Sequence, residues 1–141
     1  MIPPTRLRIY RYTFLLAAIY NLLWGIAVIL FPRLPLGMFA IEAGVGPVGV
    51  LFWQCIGMFV MVFAIGYWYC WKDPERYAPF ILIATLGKVF GPMGFVYGWL
   101  VLGVLPGSLG WTIITNDLIW WPVFFLFVWD IWLRSDRTKA R

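Results

Sequence analysis

Residues 48–71 read VGVLFWQCIGMFVMVFAIGYWYCW. These 24 positions hold no charged residue, and their single amide side chain is Gln54. A helix crossing the ~30 Å hydrocarbon core of a bilayer takes about 20 residues. A soluble helix of this length would show one polar face, and this one has none. The stretch predicts a transmembrane helix.

Three more stretches meet the same test, at residues 9–31, 77–105 and 111–133. Together they predict one domain over residues 1–141, an all-α integral membrane protein built as an antiparallel bundle of four transmembrane helices. The composition agrees: 63% of the 141 residues are hydrophobic, 21% aromatic and 12% charged. Soluble domains carry about a quarter charged residues, and a core this small could not hide the apolar excess. The first stretch follows basic residues, but it is long and ends at Phe31-Pro32-Arg33 without small residues, so no cleaved signal peptide is expected.

The charges predict the orientation. Arg6, Arg8, Arg11, Lys72, Arg76, Arg134, Arg137, Lys139 and Arg141 fall on one side, and Arg33 alone falls on the other. Lys and Arg accumulate on cytoplasmic loops, which places both termini in the cytoplasm and the chain in a bacterial inner membrane. Short loops make consecutive helices antiparallel neighbours. Asp73-Pro74 reads as a helix start, with Asp as N-cap and Pro at the first helical position. The connection over residues 32–47 is longer and apolar, with Glu42 as its one acid. It is expected to lie in the outer interface, or to form a lid.

Polar side chains inside the spans carry the functional signal, because lipid penalises them unless they face protein or water. Counting at 1.5 Å per residue, Asn21 lies about 18 Å and Lys88 about 16 Å from the cytoplasmic side. Gln54, Asn116 and Asp117 lie about 20–24 Å from it. All five are therefore expected in one layer between the midplane and the outer half. Lys88 and Asp117 are the deep charges, of opposite sign, and are expected to pair across the last two helices. Pro92 frees the carbonyl of Lys88 and Pro122 that of Leu118, four residues earlier in each case. Broken helices beside midplane polar groups form sites in many transporters, although Pro is also common in ordinary transmembrane helices.

Gly87, Gly91, Gly94 and Gly98 form a smooth ridge on the third span. Small residues let helices approach closely in lipid, so the ridge is expected to pack within the bundle, in a homo-oligomer or in a larger membrane complex. Tyr10, Tyr12, Tyr67, Trp68, Tyr69, Trp71, Trp129 and Trp132 sit where an interfacial aromatic belt is expected. Trp24, Trp53, Trp120 and Trp121 lie deeper and close in sequence to the polar residues. They are expected either to satisfy those side chains or to wall a pocket. Asp130 stands four residues before Arg134, as an interfacial ion pair would require.

Several chemistries are excluded. The chain has no His, so haem, copper and zinc lack their commonest ligand, and neither metal nor cofactor is expected. Cys55 and Cys70 are about 22 Å apart along one helix and cannot bond to each other. The net charge of +5 comes mainly from the chain ends and reports topology, with no nucleic acid implied. Size and span number are similar to those of small multidrug transporters and DoxX-like membrane proteins. The first of these families carries a membrane-embedded Glu in its first helix, where this chain offers Asn21. No family follows from that likeness.

Two functions remain. One is a small polytopic membrane protein whose midplane polar cluster binds a small molecule, ion or lipid, and in an oligomer transports it. Its site would comprise Lys88, Asp117, Asn116, Asn21 and Gln54, with Trp24, Trp53, Trp120 and Trp121. The other is a non-catalytic accessory subunit packed against a respiratory or photosynthetic complex. An intramembrane enzyme using Lys and Asp as acid and base is the weakest reading, because no nucleophile pair accompanies them.

Overall fold

The computed structural model describes residues 2–39, 41 and 44–133. Among them the chain is all helical, with four helical segments long and apolar enough to cross a membrane: Pro4–Leu30, Pro47–Lys72, Ala78–Val101 and Gly107–Trp132. Glu42, Arg134, Arg137, Lys139 and Arg141 lie outside the described residues.

Helix α1 (Pro4–Leu30) starts on a proline, whose missing N–H is no loss in the first helical turn. It ends before Phe31-Pro32, and a short helix α2 (Arg33–Met38) follows. Helix α3 (Pro47–Lys72) starts on Pro47 behind an extended Gly46. Asp73 does not start the next helix. Its carboxylate accepts from the Arg76 amide at 3.1 Å, closing one turn, and helix α4 begins later, at Ala78. The aspartate caps that turn because the chain must still reverse before the next span.

Helix α4 (Ala78–Val96) runs on into a wider turn over Tyr97–Val101. It stops short of residue 105 because Gly103 adopts φ +63°. That left-handed glycine lets the amides of Val104 and Leu105 turn back to the Gly98 carbonyl at 3.0 and 3.3 Å, a helix-terminating arrangement. The last span is broken. Helix α5 (Gly110–Asn116) ends at Asp117, whose backbone leaves the helical region at φ −121°, ψ −63°. A tight turn over Leu118–Trp120 leads into α6 (Trp121–Val128), with Pro122 in its first turn. The proline cannot donate to Leu118 and crowds the preceding turn, so the irregularity spreads upstream to Asp117.

The core is aromatic. Tyr10 and Phe14 of α1, Tyr67 of α3, and Phe124 and Phe127 of α6 are fully buried. Their rings meet edge to face, Tyr10 on Phe127 at 5.1 Å and Phe14 on Phe124 at 5.6 Å, the arrangement the ring quadrupoles favour. Tyr10 and Tyr67 thus leave the interfacial belt expected of them. Tyr12, Trp68 and Tyr69 stay exposed.

Helix α1 packs along α3 more than along any other element. They pack tightly at Gly25 and Gly57. A Cβ on Gly25 would come within 2.7 Å of the Gly57 carbonyl oxygen, and one on Gly57 within 2.7 Å of Val28. The expected glycine ridge of α4 serves less uniformly. Gly91 lies against the Asp117 carboxylate and Gly98 against Leu105, while Gly87 and Gly94 have open space above them.

Candidate polar site

Asn21 of α1, Tyr67 of α3, Lys88 of α4, and Asn116 and Asp117 at the α5 break line one cavity of about 160 Å³. Phe59, Val60 and Phe63 wall it on the α3 side. Four of the five expected polar residues therefore converge. Lys88 is 5%, Asp117 6% and Asn21 4% exposed, so the charges are withdrawn from the surface of the bundle.

Lys88 and Asp117 approach as expected, Nζ to Oδ1 at 3.8 Å, but the carboxylate is not the main partner of the ammonium. Lys88 Nζ donates to the main-chain carbonyl of Asn116, the last residue of α5. A helix end leaves carbonyls without intrahelical partners, and in lipid each must be satisfied. The lysine therefore caps the broken helix from a neighbouring one. Its ammonium also stands 5.9 Å from the ring centre of Trp120 and 5.8 Å from that of Phe124, within cation–π range.

The opposite exchange completes the joint. Pro92 frees the carbonyl of Lys88, and the Trp121 indole donates to it at 3.0 Å. Trp120 Nε1 donates to the Thr115 carbonyl at 3.2 Å. The gap left by Pro92 is thus filled by a side chain of the facing helix, while the Leu118 carbonyl freed by Pro122 accepts from the main-chain N–H of Trp121. What stays open is acceptor capacity. The Asp117 carboxylate makes no hydrogen bond among the described residues, and Asn116 Oδ1 is buried without a partner. A ligand group with N–H or O–H donors would find both.

Trp120 and Trp121 border the Lys88 joint without lining this cavity, and Gln54, Trp24 and Trp53 do not join it either. Gln54 Nε2 donates to the Ile29 carbonyl at 2.8 Å, satisfying the last turn of α1 from α3. Trp24 meets Trp53 edge to face at 6.3 Å and Phe39 at 6.4 Å, and Trp53 Nε1 is buried without a partner. Depth along a span does not fix the direction a side chain faces, and these three face the α1–α3 seam. Tyr67 is the residue the sequence reading missed. The signal was present in the small residues Gly57 and Ala64, which share its buried side of α3.

Asp130 is more than an interfacial acid. Its carboxylate accepts from Arg6 at 2.8 and 3.0 Å and from the Tyr10 hydroxyl at 2.6 Å, tying the start of α1 to the end of the last span. Tyr20 donates to Thr115 Oγ1 at 3.1 Å, a second link between the same spans. Near the other end, Ser108 donates to the Phe39 carbonyl at 2.5 Å.

Among the described residues no group of three or more His, Cys, Asp or Glu converges. No protein-family model, curated protein or solved structure matches this chain.

Proposed function

We propose that this chain is a small binding protein of a bacterial inner membrane, an antiparallel four-helix bundle with both termini in the cytoplasm. The positive charges support the orientation. The antiparallel arrangement is supported by the order of the α1 contacts with the last span, where Tyr10 meets Asp130 and Tyr20 meets Thr115.

The cavity binds a small polar ligand that brings hydrogen-bond donors. The observation that carries this reading is Asn116 Oδ1, buried without a hydrogen-bond partner among the described residues, in a cavity it shares with the ion-paired Asp117 carboxylate. Buried polar groups are nearly always hydrogen-bonded. At about 160 Å³ the space is well below the ~300 Å³ of an ordinary ligand pocket, so the ligand is a hydrated ion, a molecule of a few heavy atoms, or one polar group of a lipid. Transport would use two copies, since four helices barely enclose a path. No catalysis is proposed.

Native mass spectrometry of the gently extracted chain tests this. The wild type should retain a small adduct that Lys88→Met and Asp117→Asn lose while keeping their elution volume. Equal retention by both variants would refute the site.

The accessory-subunit reading rests on a different observation. Lys88 and Trp121 both spend their donors on main-chain carbonyls, as structural clamps would, and Gly94 is an open, smooth position on α4. In that case extraction would yield the chain within a large assembly and no small adduct.

A further inference from the structure

A second site lies on the other side of α1, along the seam with α3. Two cavities occupy it. One, of about 480 Å³, is lined by Arg8, Arg11, Tyr12 and Trp71; the other, of about 440 Å³, is almost wholly apolar and includes Ala18, Leu22, Met61 and Ile65. They follow one another along the α1–α3 seam, as the parts of one groove would. Arg8, Arg11, Leu15, Ala18 and Leu22 recur every three or four residues and so share one face of α1. Trp71 of the basic cavity and Trp68 of the apolar one stand ring to ring, 4.7 Å between centres.

The groove has the polarity of a phospholipid. At the helix end Arg11 is held by its Nε, which donates to the Trp71 carbonyl at 2.9 Å. Its two terminal nitrogens remain available, in the fork that suits a phosphate. Arg8 is exposed and forms no hydrogen bond or ion pair among the described residues. Lys72 lies 5.5 Å over the Trp68 ring and adds a third cation. From Arg11 to Leu22 the helix rises about 16 Å, close to half of the ~30 Å hydrocarbon core. A headgroup at the arginines would thus lay an acyl chain along the apolar part as far as the midplane.

We infer that the α1–α3 groove is a binding site for an anionic diacyl phospholipid, its phosphate held by Arg8 and Arg11 and one acyl chain lying between Ala18, Leu22, Met61 and Ile65. The occupant is anionic because the mouth is cationic, and it is a lipid because the groove continues as an apolar channel into the hydrocarbon. The site uses none of the polar cavity residues, so it stands or falls separately from that cavity.

The test is native mass spectrometry of the full-length, delipidated chain titrated with dioleoylphosphatidylglycerol, dioleoylphosphatidylcholine or inorganic phosphate. Phosphatidylglycerol should bind as one retained molecule in clear preference to phosphatidylcholine. Arg8→Gln should weaken it about five-fold, as one surface cation contributes, and Arg8→Gln with Arg11→Gln should abolish the preference. Leu22→Trp, which fills the channel and leaves the arginines in place, should lower affinity for both lipids. Arg76→Gln, elsewhere on the basic side, should change nothing. Should the double variant fail to fold, Arg8→Gln still decides, since that side chain holds nothing together. Unchanged preference in Arg8→Gln would overturn the proposal. So would wild-type affinity in Leu22→Trp, or displacement of the lipid by millimolar phosphate, which would make it an anion site without a channel.

Discussion

The lysine–aspartate pair is unequal, and that inequality is measurable. Lys88→Met removes the ammonium 3.8 Å from Asp117 and with it the side-chain donor to the Asn116 carbonyl at the helix break. A buried charge and a main-chain acceptor lose their partner together. Stranding the charge costs about 3–5 kcal/mol and orphaning the carbonyl about 1–3 kcal/mol, overlapping to about 4 kcal/mol in all. Asp117→Asn is milder. The ammonium keeps the Asn116 carbonyl and the faces of Trp120 and Phe124, so the loss should be about 2 kcal/mol. With both changes no charge is stranded and one carbonyl is left bare, again about 2 kcal/mol. The double variant should therefore be more stable than Lys88→Met alone, with a coupling of about 3 kcal/mol or more. Equilibrium unfolding in mixed micelles, followed by tryptophan fluorescence, reads all four proteins. If the double loss equals the sum of the single losses within about 0.5 kcal/mol, the two side chains do not interact and the reasoning fails.

Trp121→Phe keeps the ring but removes the donor to the Lys88 carbonyl; interhelical bonds in membranes average about 0.6 kcal/mol with a maximum near 1.7, and the same unfolding assay should show a loss in that range. Gly25→Ala puts a methyl within 2.7 Å of the Gly57 carbonyl oxygen, and backbone cannot yield cheaply, so a loss of about 1–3 kcal/mol is expected; Gly94→Ala, in open space, should be neutral. Asp130→Asn weakens charge-assisted bonds to Arg6 and Tyr10 and should lower stability by about 1.5–3 kcal/mol, whereas an unchanged unfolding midpoint would show that the tie between α1 and the last span carries no load. Reporter fusions at each terminus should both read cytoplasmic; an outside signal at either would contradict the charge rule.

How much was legible depended on whether a property is local. Asn21, Lys88, Asn116 and Asp117 could be grouped by depth alone, because rise per residue is fixed. Gln54 matched them in depth yet faces the α1–α3 seam, since rotation about the helix axis is set by packing. The same gap explains Tyr10 and Tyr67, which composition and position assigned to the interface and the core absorbed. The proline at 122 announced a break, but that a lysine of the neighbouring helix reaches the carbonyl at that break was set by packing.

Sequence alone determined that this chain carries four helices long and apolar enough to cross a bilayer. Hydrocarbon imposes its demand on every residue it touches, so long uncharged runs announce themselves without reference to anything else in the chain. The tertiary structure decided which polar groups share a cavity, that Lys88 caps a broken helix before it pairs with Asp117, and that the close crossing lies at Gly25 and Gly57 and not along the α4 ridge. Those outcomes depend on contacts between residues far apart in sequence, where a shift of one helix face exchanges a partner for lipid.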